Sequence, residues 1–350
     1  MTAWTVLGLF REELAERLAA LGQPAYRAGQ VMRWVYRKGA RTFAEMTDLP
    51  AELRATLAQE AAVGRPEVAT VQRTEDGATA KLLLRLADGE TVETVLLHHC
   101  YGVSVCVSSQ VGCAMGCGFC ASTRGGLVRN LSAGEMLGEV LEAQAAAGAG
   151  GRVSHAVVMG MGEPLANYEA LMRFLRLLHA PEAFGMSYRN MTVSTCGLVP
   201  GIERLAGEGL PITLAVSLHA PNDRLRSRLM PVNRNYPLDR LIPACAAYAG
   251  QTGRRVTFEY ALIAGANDGP REAEELAALL AGMLCHVNLI PMNEVPESGF
   301  ERSSPERVEQ FRGILARAGI PVTVRREMGA EIEAACGQLR QRVGKAGGPG

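Results

Sequence analysis

From residue 102 onward, short β-branched runs alternate with longer amphipathic stretches, and this alternation constrains the fold more than any other feature of the chain. The runs are VSVCV, HAVVM, MTVST, ITLAVSL, VTFEYAL and HVNLI, with PVTVR as a candidate seventh. Between them lie segments such as AGEMLGEVLEAQAAA, YEALMRFLRLLH and REAEELAALLAGM. Strand alternating with helix predicts a parallel sheet, and six or more units in about 220 residues predict an α/β barrel or partial barrel. The chemically unusual residues follow the predicted strands: Cys113, Cys117 and Cys120; Gly160-Met161-Gly162-Glu163-Pro164; Ser194-Thr195-Cys196-Gly197; Ser217-Leu218-His219; and Pro291-Met292-Asn293. In a parallel barrel these strand ends share one rim, so one site is expected from five separate places.

The residues before the barrel follow other periods. Residues 1–60 read as helical, through REELAERLAALG, RAGQVMRWVYRKG and PAELRATLAQE. The second of these helices lies in a basic stretch that holds Arg27, Arg33, Arg37, Lys38 and Arg41, interleaved with Tyr26, Trp34 and Tyr36. A solvated face with its aromatics turned inward accounts for that pattern, and so does a footprint for RNA phosphates. Residues 66–97 switch to period two around Asp88-Gly89, which predicts a β-hairpin. The expected divisions are therefore a helical accessory domain at 1–62 with a candidate RNA contact, a β extension at 63–99, the catalytic barrel at 100–340 and a glycine-rich tail at 341–350.

Hydrophobic residues make up 48% of the chain and charged residues 21%, as in ordinary globular proteins. The 36 basic and 36 acidic residues cancel, although a whole-chain sum hides local fields. No apolar run is long enough to span a membrane, and the N-terminus lacks a basic n-region, so a cytoplasmic protein is expected. Nine cysteines, an odd number, argue against a disulfide framework and leave thiols for metal or redox chemistry.

Cys113-x3-Cys117-x2-Cys120 is the sharpest chemical signal. Thiolates suit iron–sulfur clusters or zinc. A closed zinc site needs a fourth ligand, whereas three thiolates on a four-iron cluster leave one iron open to a substrate. Glycines at 112, 116 and 118 let the backbone wrap closely around a cofactor. A zinc knuckle is the main competing reading, and it leaves the other rim motifs unexplained.

The CxxxCxxC spacing resembles the radical S-adenosylmethionine (SAM) superfamily. SSQVGCAMGCGFCASTRGGLVRNLSAGE, VVMGMGEPLANY, VSTCGLVPGI, AVSLHAPNDRLRSRLMPVNR, HVNLIPMNEVP and IEAACGQL together resemble the RlmN family of dual-specificity RNA methyltransferases. The likeness extends to RAGQVMRWVYRKGARTFAEMTDLPAELR, nearly the whole chain. It implies a partial (β/α)6 radical-SAM barrel in which Cys113, Cys117 and Cys120 hold one 4Fe–4S cluster per subunit. It further implies SAM contacts from Gly162, Glu163, Ser194, Ser217, Leu218, His219 and Asn293. Cys336 matches a methyl-carrying cysteine, Cys106 its disulfide partner and Glu93 a proton acceptor. Read by themselves, Cys106 and Cys336 would pass as small buried hydrophobes and Glu93 as a strand-surface carboxylate. Cys100, Cys196, Cys245 and Cys285 read as structural.

The implied reaction consumes two SAM molecules per turnover. One methylates Cys336; the second yields a radical that takes hydrogen from that methyl group. The carbon then joins C2 of an adenine, Glu93 receives the C2 proton, and Cys106 attacks the Cys336 sulfur to release the RNA. An external electron donor must reduce the resulting disulfide. The implied substrates are adenosine 2503 of 23S rRNA and adenosine 37 of tRNAs, with no membrane and no obligate protein partner. The alternative within the class is Cfr-like methylation at C8 of the same rRNA adenosine.

Overall fold

A ten-stranded mixed sheet organises the protein. The computed structural model describes residues 4–148, 151–293, 298–326, 328–335 and 337–339. Before the sheet come β1 (Trp4–Thr5), α1 (Arg11–Ala19), α2 (Tyr26–Met32), α3 (Ala51–Glu60) and β2 (Ala61–Ala62). The chain's two ends of this region meet, because β1 and β2 pair in parallel. Helix α2 does not stay α-helical through the basic stretch; it widens into a π-turn at Arg33–Arg37. Val35 and Tyr36 are buried there, while Arg33, Arg37 and Lys38 are exposed.

Strands β3 (Glu67–Arg73), β4 (Thr79–Arg85) and β5 (Thr91–His99) form an antiparallel meander, and the Asp88-Gly89 turn joins the last two. β5 then pairs antiparallel with β6 (Gly102–Cys106), so the meander continues the barrel sheet instead of standing apart. A short antiparallel ribbon of β7 (Gln110–Gly112) and β8 (Leu127–Asn130) brackets the cysteine loop. The helix α4 (Ala133–Ala147) follows. Ser132 caps it by accepting from the Glu135 amide at 3.2 Å, and Glu135 accepts in return from the Ser132 amide at 2.8 Å.

The predicted strand–helix alternation then appears as β9 (Val153–Val158), α5 (Tyr168–His179), β10 (Met191–Thr195), α6 (Val199–Gly207), β11 (Thr213–Ser217), α7 (Asp223–Leu229), α8 (Leu238–Thr252), β12 (Val256–Leu262), α9 (Pro270–Leu279), β13 (Cys285–Pro291), α10 (Pro305–Arg317) and β14 (Val322–Val324). From β6 through β9 to β14 every neighbouring pair is parallel. This is the expected partial barrel of six parallel strands, with β14 as a short seventh. Helix α5 shows how the outer layer is held: Leu171, Phe174, Leu175 and Leu178 recur at helical spacing and are fully buried.

The N-terminal helices are tied to the barrel by a buried carboxylate. Glu142 on α4 lies 2.8 Å from the Arg65 guanidinium and also pairs with Arg41. Arg65 thus spends its charge inside the protein, whereas Arg41 reaches the same carboxylate from the surface. Among the described residues, no helix is long and apolar enough to cross a membrane. The tail at 341–350 lies outside the described residues.

Candidate active site at the barrel rim

The strand-end residues converge as the alternation predicts. One cleft is lined by Cys113, Cys117 and Cys120 together with Gly162, Glu163, Ser194, Ser217, His219 and Asn293. With its open mouth it encloses about 1080 Å³, ample for a small-molecule site. Leu218 alone of the expected SAM contacts does not line it. Its side chain is fully buried in the core, and its carbonyl accepts from Arg226 Nε at 3.2 Å.

Glycines let the loops close on each other. A Cβ on Gly112 would stand 2.0 Å from the Gly126 carbonyl oxygen, which accepts instead from the Cys113 amide at 2.9 Å. Gly162 has φ of +101°, and a Cβ there would lie 2.6 Å from Gln110 Cβ. Gln110 binds the two loops together: its Oε1 accepts from the Glu163 amide at 2.8 Å, and its Nε2 donates to Asn130 at 2.8 Å.

Glu163 is buried and already engaged. Its Oε2 accepts from the Cys196 amide at 2.7 Å and its Oε1 from the Leu165 amide at 3.0 Å. Burial raises its pKa, and the hydrogen bonds oppose that rise. Each oxygen retains acceptor capacity, so Glu163 can both brace the β10 loop and receive a ligand ammonium.

His219 is held as a neutral ring. Its Nδ1 accepts from the Ala261 amide at 2.8 Å, which leaves the proton on Nε2. Burial, with the nearby Arg226 charge, depresses its pKa to about 3. Its φ of +56° falls in the left-handed region, and the edge of Phe119 meets its ring at 4.8 Å.

Burial pushes the Cys113 thiol up to about 11 and raises Cys117 further. Such thiols surrender protons only when a cation stabilises the thiolate. Arg226 supplies a fixed positive charge beside Cys117 and Cys196. It is fully buried, donates to the carbonyls of Leu218, Cys196 and Ser217 and to Asn233 Oδ1, and forms no ion pair among the described residues. A buried cation with only neutral acceptors suits an anionic neighbour, as a thiolate-ligated cluster would be. Among the described residues, no three His, Cys, Asp or Glu side chains are placed to hold a single metal ion.

Cys336 lies outside the described residues. Its chain neighbours are placed, and they bridge two cavities. Gly337 and Leu339 line the thiol cleft, whereas Ala334, Ala335 and Leu339 line a second pocket with buried Cys106. The two cavities share Met159, Ile290, Asn293 and Arg325. Two contacts fasten this segment to the cysteine loop: the Ala121 amide donates to Gly337 O at 2.8 Å, and Ser122 Oγ to Leu339 O at 2.6 Å.

Over residues 5–63 the sequence matches the family described as the ribosomal RNA large subunit methyltransferase N-terminal domain, and over residues 107–279 the Radical SAM superfamily. A probable dual-specificity RNA methyltransferase RlmN of Symbiobacterium thermophilum is 54% identical, covering 96% of this chain and 91% of its own length. Its counterpart in Desulforudis audaxviator is 57% identical over 88% of this chain and 96% of its own length. The chain belongs to the RlmN family. A radical SAM methyltransferase from Sphaerobacter thermophilus has the same fold, with a TM-score of 0.94 and 53% identity over 96% of this chain and 99% of that one. This RlmN-family chain is thus a radical SAM enzyme.

The remaining expected residues lie away from the thiols. Glu93 on β5 is buried, not a strand-surface carboxylate, and sits 3.2 Å from Lys81 Nζ in a small separate cavity. By strand alternation it shares a face with Val95 and Leu97, which line the Cys106 pocket. No disulfide joins two of the described cysteines; the expected Cys106 pairing involves Cys336. Cys245 and Cys285 are buried, as a structural role requires, but Cys100 is exposed in the β5–β6 turn.

Two residues with roles at the cleft escaped the sequence reading. Glu259 is a buried carboxylate in the lining, held by Asn288 Nδ2 at 2.8 Å. A lone acid within VTFEYAL was its signal. Arg226 carried no comparable signal, because DRLRSRL holds three arginines and only the fold buries one of them.

Proposed function

We propose that this protein methylates C2 of an adenine in RNA, at adenosine 2503 of 23S rRNA and adenosine 37 of tRNAs, through a methylated Cys336. The observation that carries this reading is the placement of the described residues on either side of Cys336: Ala334 and Ala335 line the Cys106 pocket, and Gly337 lines the thiol cleft.

Cys113, Cys117 and Cys120 would hold one 4Fe–4S cluster through their thiolates. When bound, the cluster and SAM supply the electron, the radical and the methyl group. Glu163, Ser194, Ser217, His219 and Asn293 would hold SAM. The carboxylate of Glu163 accepts from its amino group, and the His219 Nε2–H is a neutral donor into the cleft. Leu218 would act through its backbone.

In the Cys106 pocket, the Cys106 sulfur attacks that of Cys336 to release methylated RNA, and an external donor reduces the disulfide. Glu93 would receive the C2 proton, with Lys81 beside it to stabilise the resting carboxylate. The N-terminal region up to residue 62 would act as an accessory RNA-binding domain. Arg33, Arg37 and Lys38 are exposed on its basic stretch, although Arg37 also donates to Pro181 O at 2.7 Å and Lys38 lies 3.5 Å above the Trp34 ring.

Turnover on rRNA and tRNA with wild type, Cys336→Ala and Cys106→Ala tests the reading. Cys336→Ala should yield no methylated RNA, and Cys106→Ala should accumulate a covalent crosslink to RNA. Release of product by Cys106→Ala at the wild-type rate would remove its resolving role. Mass spectrometry and NMR of the product locate the methyl group, and a mainly C8 product would overturn the C2 assignment. One tightly bound zinc after anaerobic reconstitution, with no SAM cleavage, would instead indicate a metal-stabilised RNA-binding protein.

A further inference from the structure

The Cys106 pocket does not end at Cys106. It runs along the inner face of β6 through Ser104 to the β5–β6 turn, where His99, Cys100 and Tyr101 also line it. From Gly102 to Cys106 the strand rises roughly 13 Å, so the turn forms a second end of the pocket well away from the sulfur chemistry.

The aromatic groups at this end are arranged and yet open. Tyr101 is 65% exposed, which leaves ring surface available to a ligand. The His99 ring stacks on it at 4.7 Å with planes 7° apart, and the His155 ring stands nearly perpendicular at 5.3 Å. Gly102 makes the placement possible. Its φ is +138°, and a Cβ there would fall 2.4 Å from Ser154 Oγ, so only glycine lets the turn press against β9 beside His155. A tyrosine held at this angle in water gains little from burial. Its surroundings are also electropositive: Arg325 and Arg326 line the same pocket, and no Asp or Glu does among the described residues. Glu259 and Asp76 lie near Arg325 and Arg326 but outside this lining. A flat π surface beside cations, with no carboxylate in the lining itself, is the chemistry that receives a nucleotide.

We propose that Tyr101, backed by His99 and braced by His155, is a stacking platform for an RNA base flanking the target adenine, with Arg325 and Arg326 facing the adjoining phosphates. The inference rests on the reading that the Cys106 pocket takes an RNA adenine, and it adds a second base contact to that reading. Stacking tolerates every base, so the platform would fix the strand's position without adding sequence preference.

RNA hairpins bearing the target adenosine, each with 2-aminopurine at one of the flanking positions, test the platform directly. Wild-type protein should quench the fluorescence at one position. Tyr101→Ala should abolish that quench and raise KM for RNA by roughly 5- to 150-fold, the loss of one base stack, with kcat at saturating RNA unchanged. Tyr101→Phe keeps the ring and should retain both quench and KM. SAM cleavage without RNA should be equal in all three proteins, which separates loss of the platform from loss of folding. Tyr101→Ala with unaltered quench and KM would overturn the proposal, as would Tyr101→Phe falling as far as alanine. Methylation by wild type with no quench at any flanking position rejects the platform alone. Quench without methylation rejects the catalytic reading and leaves the platform standing.

Discussion

The Ala121 amide donates to the Gly337 carbonyl at 2.8 Å, joining the residue after Cys120 to the residue after Cys336. Backbone segments more than 200 positions apart are thereby joined directly. Ser122 reinforces the join through its buried hydroxyl. Ser122→Ala should weaken docking of the 337–339 segment by about 1 kcal/mol, the net worth of one hydrogen bond. Methyl transfer to RNA should slow, while iron content and RNA-independent SAM cleavage stay at wild-type levels. Parallel iron analysis and single-turnover assays check the split.

Lys81 serves both halves of the Cys106 side, since its Nζ lies 3.2 Å from Glu93 Oε1 and 3.2 Å from the Glu333 carbonyl. Both side chains of the ion pair are buried. Lys81→Met leaves a carboxylate without its cation and should cost about 3–5 kcal/mol in urea unfolding. The double variant Lys81→Met/Glu93→Gln should recover much of that loss. A double-mutant cycle on the unfolding midpoints measures the coupling.

Arg226 holds three carbonyls at the ends of β10 and β11 while keeping its charge beside Cys117. Arg226→Met removes the donors and the charge together. Stability should fall by at least about 3 kcal/mol, because several buried acceptors lose their partner. Reconstituted iron per chain should fall as well. Chemical denaturation and iron analysis of the same preparation give both numbers.

Gly162→Ala should be tolerated poorly. The added Cβ meets Gln110 at 2.6 Å and the backbone keeps a φ of +101°. Strain alone costs about 1–3 kcal/mol, and relief by loop movement would shift Glu163 away from Cys196. Thermal melting and the KM for SAM should both worsen.

His219 gives a pH signature. The unfolded chain takes up its proton near 6.5, whereas the folded site holds it off to about 3. Between those values the unfolded state binds more protons, so this group's contribution falls as pH falls and is complete above 6.5. His219→Asn, which tolerates the left-handed backbone, should flatten the acid limb by up to about 1.4 kcal/mol per pH unit. The raised pKa values of buried Glu139, Glu163 and Glu259 act in the opposite sense, so the difference between variant and wild type is the quantity to measure.

Much of this protein was legible in one dimension. Alternating runs such as HAVVM and YEALMRFLRLLH carry their periods locally, so strands, helices and a parallel barrel follow from neighbouring residues alone. The cysteine triad and the glycine loops are local too, and barrel topology puts their strand ends on one rim. Burial and pairing were not legible. Glu93 looked like a surface carboxylate until β4 brought Lys81 against it. DRLRSRL does not reveal which arginine the fold encloses, and Tyr101 shows no purpose until His99 and His155 close on it. Each depends on contacts between residues distant in the chain, whose energies come from shared desolvation and geometry. Sequence determined the elements and the reactive groups; only tertiary packing decided which charges lose water, which carbonyls they hold, and how the segments around Cys106 and Cys336 meet.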